Sequence, residues 1–88
     1  MFKLMDTYSG KVDDIKKESK QDPYWARKEI WNIALITSGK TLKIRFEGYD
    51  LRPAGIDIEK HDVITVTPVR EKNGVYIAYE INITNKGS

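Results

Sequence analysis

The sequence predicts a single small all-β domain. Two stretches alternate apolar and polar residues and fold back at turn residues, and a third alternating stretch has a glycine at its centre. The longest connection is broken by proline and glycine and has room for at most one short helix. At 88 residues there is length for one core, read here as residues 1–84, with 85–88 as a frayed tail.

The clearest element runs from Glu29 to Glu47. Trp31, Ile33 and Leu35 alternate, Ser38-Gly39 follows, and then Leu42, Ile44 and Phe46 alternate. A two-residue turn at Ser38-Gly39 sets Leu35 opposite Leu42, Ile33 opposite Ile44 and Trp31 opposite Phe46. Those pairs make the inner face. Ile30, Asn32, Ala34, Ile36, Thr41, Lys43 and Arg45 then make the outer one, because a one-residue slip would exchange the two completely.

A second hairpin is expected from Asp62 to Thr84 around Asn73-Gly74, where both residues tolerate positive φ. It sets Ile64 opposite Ile83, Val66 opposite Ile81 and Pro68 opposite Tyr79, an inner face that Ile77 joins. Val63, Thr65, Thr67, Val69, Tyr76, Ala78, Glu80 and Asn82 fall outside. Pro68 has no N–H to donate, so it belongs at a sheet edge or a bulge.

The first strand is carried by Tyr8, Gly10 and Val12. A glycine in mid-strand suits a bend that serves two sheet edges. The polar segment Lys16–Ala26, with Asp22-Pro23, reads as a long loop, and Gly48–His61 as an irregular connection holding Pro53 and Gly55.

Composition removes several function classes. There is no cysteine and one histidine, His61, so zinc sites built on either residue are excluded. No apolar run approaches the roughly 20 residues that span a membrane, and the Met1–Met5 start is too short for a secretory signal. The expectation is a cytoplasmic protein. No nucleophile elbow, phosphate loop or dinucleotide fingerprint is present. Asp13-Asp14 and Asp57/Glu59 make no acid–base site without a pocket. The expectation is a non-enzyme with no metal and no cofactor.

The order of bent strand, long loop, tight hairpin, irregular connection and second hairpin resembles the OB-fold, a five-stranded Greek-key barrel. The likeness is carried by Tyr8-Ser9-Gly10-Lys11-Val12, by Ile30 to Phe46, and by Ile58 to Val66 with Asp62 just before the fourth strand. The chain departs from the family in a stunted connection before that strand, and from bacterial single-strand binding proteins in lacking an acidic tail.

The resemblance implies a ligand face on the second and third strands, flanked by the first loop and by the loop between the last two strands. Asn32, Lys43 and Arg45 lie on that face. The first loop brings Tyr24, Trp25, Arg27 and Lys28, and the second brings Arg70 and Lys72, with Tyr76 beyond. Cations neutralise phosphates and flat rings stack on unpaired bases, so the set suits single-stranded DNA or RNA, with DNA favoured. Each residue also has a plainer role. Lys43 and Arg45 serve equally as a solvated strand face, and Trp25 equally as a plug for the barrel's open end.

A second class of function is a protein-interaction module or a small subunit or inhibitor in an assembly, such as one carried by a phage or mobile element. The apolar strip Ile30, Ala34 and Ile36 on the outer face would then meet a partner or a second copy. The net charge of +2 permits nucleic-acid binding without demanding it.

Overall fold

The computed structural model describes residues 2–21, 23, 27–49 and 57–87, Tyr49 by its backbone alone. These residues form β1 (Tyr8–Gln21), β2 (Arg27–Thr37), β3 (Lys40–Tyr49), β4 (Val63–Val66), β5 (Arg70–Lys72), β6 (Val75–Ala78) and β7 (Ile81–Asn85). All seven belong to one sheet, in the order β5-β6-β3-β2-β1-β4-β7. The described residues contain no helix, so the class is all-β as expected.

Turn chemistry sets both hairpin registers. Ser38 and Gly39 have φ of 52° and 73°, and Asn73 and Gly74 have 52° and 81°. Positive φ at both central residues matches the right-handed twist of the flanking strands. Trp31, Ile33 and Leu35 pair with Phe46, Ile44 and Leu42 as expected. All six are buried, with the Trp31 and Phe46 rings edge to face at 5.6 Å. Ile64 and Val66 likewise pair with Ile83 and Ile81.

β1 serves two edges. Tyr8–Lys11 pairs with β4, and Lys11–Gln21 pairs with β2 past a bulge between Val12 and Asp14. Gly10 makes this crossing feasible, because a Cβ there would run into the carbonyl oxygen of Ile36. The strand is longer than expected. Lys16 to Gln21 continue it instead of opening a loop, and Arg27 and Lys28 begin β2.

The expected five strands become seven because the second hairpin is divided. Its root, β4–β7, pairs against β1, while its tip, β5–β6, leaves to pair in parallel with β3. Thr67-Pro68-Val69 and Tyr79-Glu80 lie outside the strands at the division. Pro68 is buried there, and its carbonyl accepts from Met5 N–H at 2.7 Å. One hairpin thus spans both ends of the sheet and closes it into a barrel.

The division inverts the faces of the tip. Tyr76 falls beside Ile44 and Ala78 beside Phe46, while Ile77 falls beside Arg45. In-register neighbours share a face, so Tyr76 and Ala78 enter the core, while Ile77 takes the other face and is buried there at 8% exposure. This corrects the expectation that placed Tyr76 outside. Tyr76 is 9% exposed, packs edge to face on Phe2, and donates its hydroxyl to the Phe2 carbonyl at 3.2 Å. Tyr79, expected inside, is 52% exposed.

The root is fastened by Asp62, whose side chain is fully buried. It accepts hydrogen bonds from Lys86 Nζ at 2.6 Å, Gly87 N–H at 2.8 Å and Glu59 N–H at 2.9 Å. Burial pushes its carboxyl up. The Lys86 bond, the two backbone donors and the Lys86 charge outweigh that and hold it below the ordinary value. Residues 85–87 are therefore tied down rather than frayed. Asn85 pairs with Val63, and a Cβ on Gly87 would strike the carbonyl of His61.

Candidate functional site

The outer face of β2–β3 is the floor of a groove, and the inverted β5–β6 tip is its wall. The groove is a chain of adjoining depressions. The first, of about 230 Å³, is lined by Asp14, Lys16, Asn32, Ala34, Lys43 and Val75 among others. The second, of about 270 Å³, shares Asn32 and Val75 and adds Arg45, Lys72, Asn73 and Ile77. The third, of about 340 Å³, continues over Arg45, Lys72 and Ile77 to Glu47, Arg70 and Glu71. Glu47 leads to the last, of about 440 Å³, with Lys28, Gly48 and Tyr79.

Strand alternation explains this lining. Asn32 lies opposite Arg45 and Ala34 opposite Lys43 in the β2–β3 ladder, so one register puts all four on one surface. Lys16 joins them because β1 continues as a strand beside Asn32. Val75 and Ile77 reach the same surface from β6 through the parallel pairing with β3, and Arg70 lies opposite Ile77.

Six cations line the groove, Lys16, Lys28, Lys43, Arg45, Arg70 and Lys72, against Asp14, Glu47 and Glu71. Two of the acids have local partners. Glu71 accepts the Gly74 N–H at 2.7 Å and so caps its own turn. Glu47 Oε1 pairs with Arg45 at 3.2 Å and with Lys28 at 3.5 Å. Asp14 shares the first depression with Lys16 and Lys43, and the six cations outnumber the three acids along the groove.

Of the residues singled out in the sequence, Lys28, Asn32, Lys43, Arg45, Arg70 and Lys72 meet in this groove. Arg27 is exposed farther along the β1–β2 ribbon, opposite Gln21. Tyr76 is in the core. Tyr24 and Trp25 lie outside the described residues. Sequence reasoning missed Val75, Ile77 and Tyr79, and it set Lys16 in a flanking loop, its field partly cancelled by nearby acids, where the structure sets it in β1. Among the described residues Tyr79 is the aromatic that the groove presents, and Arg70 donates to its hydroxyl at 3.2 Å. The signal for it was Pro68, the one place where the alternation of the second hairpin was free to change sides.

The apolar strip proposed for a partner is reduced. Ile30 is 4% exposed, because it lies between Glu18 and Glu47 in the ladders and long side chains on its own face flank it. Ala34 is half-buried, which leaves Ile36 as the exposed member, at 37%. Among the described residues no three His, Cys, Asp or Glu side chains gather as metal ligands, and no helix is long and apolar enough to cross a membrane.

No protein-family model matches this chain, and no curated protein matches it in sequence. Among solved structures it is similar to the second OB-fold domain of replication protein A from Methanococcus maripaludis, determined by NMR in solution. The TM-score is 0.68, with 16% identity over 97% of this chain and 88% of that one. A likeness at this identity shows the fold, and the fold is the OB barrel that the sequence resembled.

Proposed function

We propose that this chain is a non-catalytic cytoplasmic binder of single-stranded nucleic acid, DNA in preference to RNA, acting through the groove over β2–β3. The observation that carries the reading is the groove itself. It is a run of adjoining depressions with six cations, a half-buried Val75 beside a buried Ile77, and an exposed tyrosine at one end. A single strand needs this combination, since its phosphates demand cations and its unpaired bases demand apolar or aromatic faces. OB barrels as a class use this face for oligonucleotides. The structural neighbour belongs to a replication protein, which favours DNA as the ligand.

The roles divide by chemistry. Lys43, Arg45, Arg70, Lys72 and Lys16 neutralise phosphate. Asn32 offers both a donor and an acceptor to base or sugar. Tyr79 supplies the stacking ring. Tyr24 and Trp25 follow β1 closely in sequence and add rings if they reach the same track.

The test is fluorescence anisotropy with labelled single-stranded DNA, single-stranded RNA and duplex, each at two salt concentrations. The expected result is salt-sensitive binding that ranks single-stranded DNA first. Replacing Lys43 and Arg45 together with Glu should weaken it at least tenfold and flatten the salt slope by about two contacts. Absence of binding to all three ligands at low salt overturns the reading and turns the search toward a protein partner.

A further inference from the structure

We infer that the slot between Lys28, Glu47, Gly48 and Tyr79 is a nucleobase pocket that selects guanine. The inference rests on the single-strand reading above and adds a sequence preference to it. It starts from one of the three carboxylates of the cationic track, Glu47, which stands where the track reaches its tyrosine end and repels the phosphates that the track attracts.

Glu47 is held in place. Its side chain is 16% exposed, and Arg45 and Lys28 approach the same oxygen, Oε1. Oε2 has neither a hydrogen bond nor an ion pair among the described residues. The carboxylate is thus oriented by two cations and keeps acceptor capacity on both oxygens, since each can accept more than one bond.

The slot around it suits a flat ring. Tyr79 is 52% exposed and steadied by Arg70 at its hydroxyl, so it offers a face for stacking. Gly48 lines the slot with its backbone. Lys28 lines the slot and Arg70 adjoins it at the Tyr79 hydroxyl, and each cation has donors beyond those contacts for the phosphates flanking the base.

Carboxylate chemistry then discriminates among bases. The Watson–Crick edge of guanine presents two adjacent donors, N1–H and the N2 amino group, which match the two oxygens of one carboxylate. Cytosine and adenine present one amino donor beside a ring nitrogen whose lone pair the carboxylate repels. Thymine and uracil present one N–H between two carbonyls, which it also repels. Guanine alone satisfies both oxygens without opposing either.

The experiment compares a labelled oligothymidylate with the same strand carrying one central guanine, inosine, adenine or cytosine. The guanine strand should bind roughly tenfold more tightly, the scale of one bidentate base contact. Inosine keeps N1–H but lacks the amino group, and should lose most of that advantage. In Glu47→Gln the guanine preference should vanish while oligothymidylate binding is kept or strengthened, because a negative charge has left the track. Tyr79→Leu should weaken every strand. Equal affinity for the guanine and thymine strands, or a preference that survives Glu47→Gln, overturns the pocket and leaves single-strand binding standing. Failure to bind any strand removes both.

Discussion

The two hairpins have the same turn geometry and end differently. Each turns through two residues with positive φ, and each keeps the register its turn dictates. The β2–β3 hairpin keeps its faces from end to end, because both strands stay in one run of the sheet. The second hairpin changes faces between root and tip, because the root docks on β1 and the tip on β3. A turn sets which residues pair. Which side of the pair is buried is set by the sheet edge that receives it.

The sharpest way to break this comparison is at the two tyrosines on either side of the change. Tyr76→Ala removes a ring from the core and should cost about 3 kcal/mol, as large-to-small aromatic changes do. Tyr79→Ala removes an exposed ring and should stay within about 0.5 kcal/mol while weakening single-strand binding. Urea denaturation with an unchanged m-value reads the first number, and anisotropy reads the second effect. Unbroken alternation through Pro68 would give the opposite ranking.

The root can be loosened separately. Asp62 fastens it, and Asp62→Asn should cost about 2 kcal/mol at neutral pH by weakening charge-assisted bonds to Lys86, Gly87 and Glu59. The pH dependence has a definite sign. The folded carboxyl titrates below its unfolded value of about 3.9, so its contribution is present above that value and is lost as pH falls through the folded one. The stability gap between wild type and Asp62→Asn should therefore close in acid. A gap of constant size down to pH 2 would mean that the carboxylate is not the fastener.

These contrasts also explain what the sequence made legible. Both registers, the β2–β3 core face and the role of Gly10 were readable, because turn residues, strict alternation and a mid-strand glycine are local signals. The length of β1 was not, since Lys16–Gln21 is polar apart from the ladder and has no core to alternate against. The inversion of Tyr76 and Tyr79 was not, because it depends on a parallel pairing with a strand some thirty residues away. The candidate groove divides the same way. Its floor of Asn32, Lys43 and Arg45 came from alternation, and its wall of Val75 and Ile77 came from tertiary docking.

Below these effects lie the turns themselves. Gly39→Ala and Gly74→Ala should each cost about 1 kcal/mol, because an added Cβ meets no neighbour at either site and the loss is purely that of the left-handed backbone. Equal losses would show that the two turns contribute alike despite their different strands. A much larger loss at Gly74 would show that the tip needs its turn to reach β3.

The smallest change asks whether the two turns can be made equal. Ser38 occupies in the first hairpin the position that Asn73 occupies in the second, with the same φ of 52°. Asparagine tolerates that region better than serine, because its side chain hydrogen-bonds to nearby backbone. Ser38→Asn should therefore stabilise the domain by about 0.5 kcal/mol, and Asn73→Ser should destabilise it by a similar amount. Both shifts are read as urea midpoints at constant m-value, and the double variant should return to the wild-type midpoint because the turns share no partner. A double variant that falls well short would mean that Asn73 does more than turn the chain. The candidate for that extra role is the groove wall, where Asn73 stands beside Lys72 and Val75.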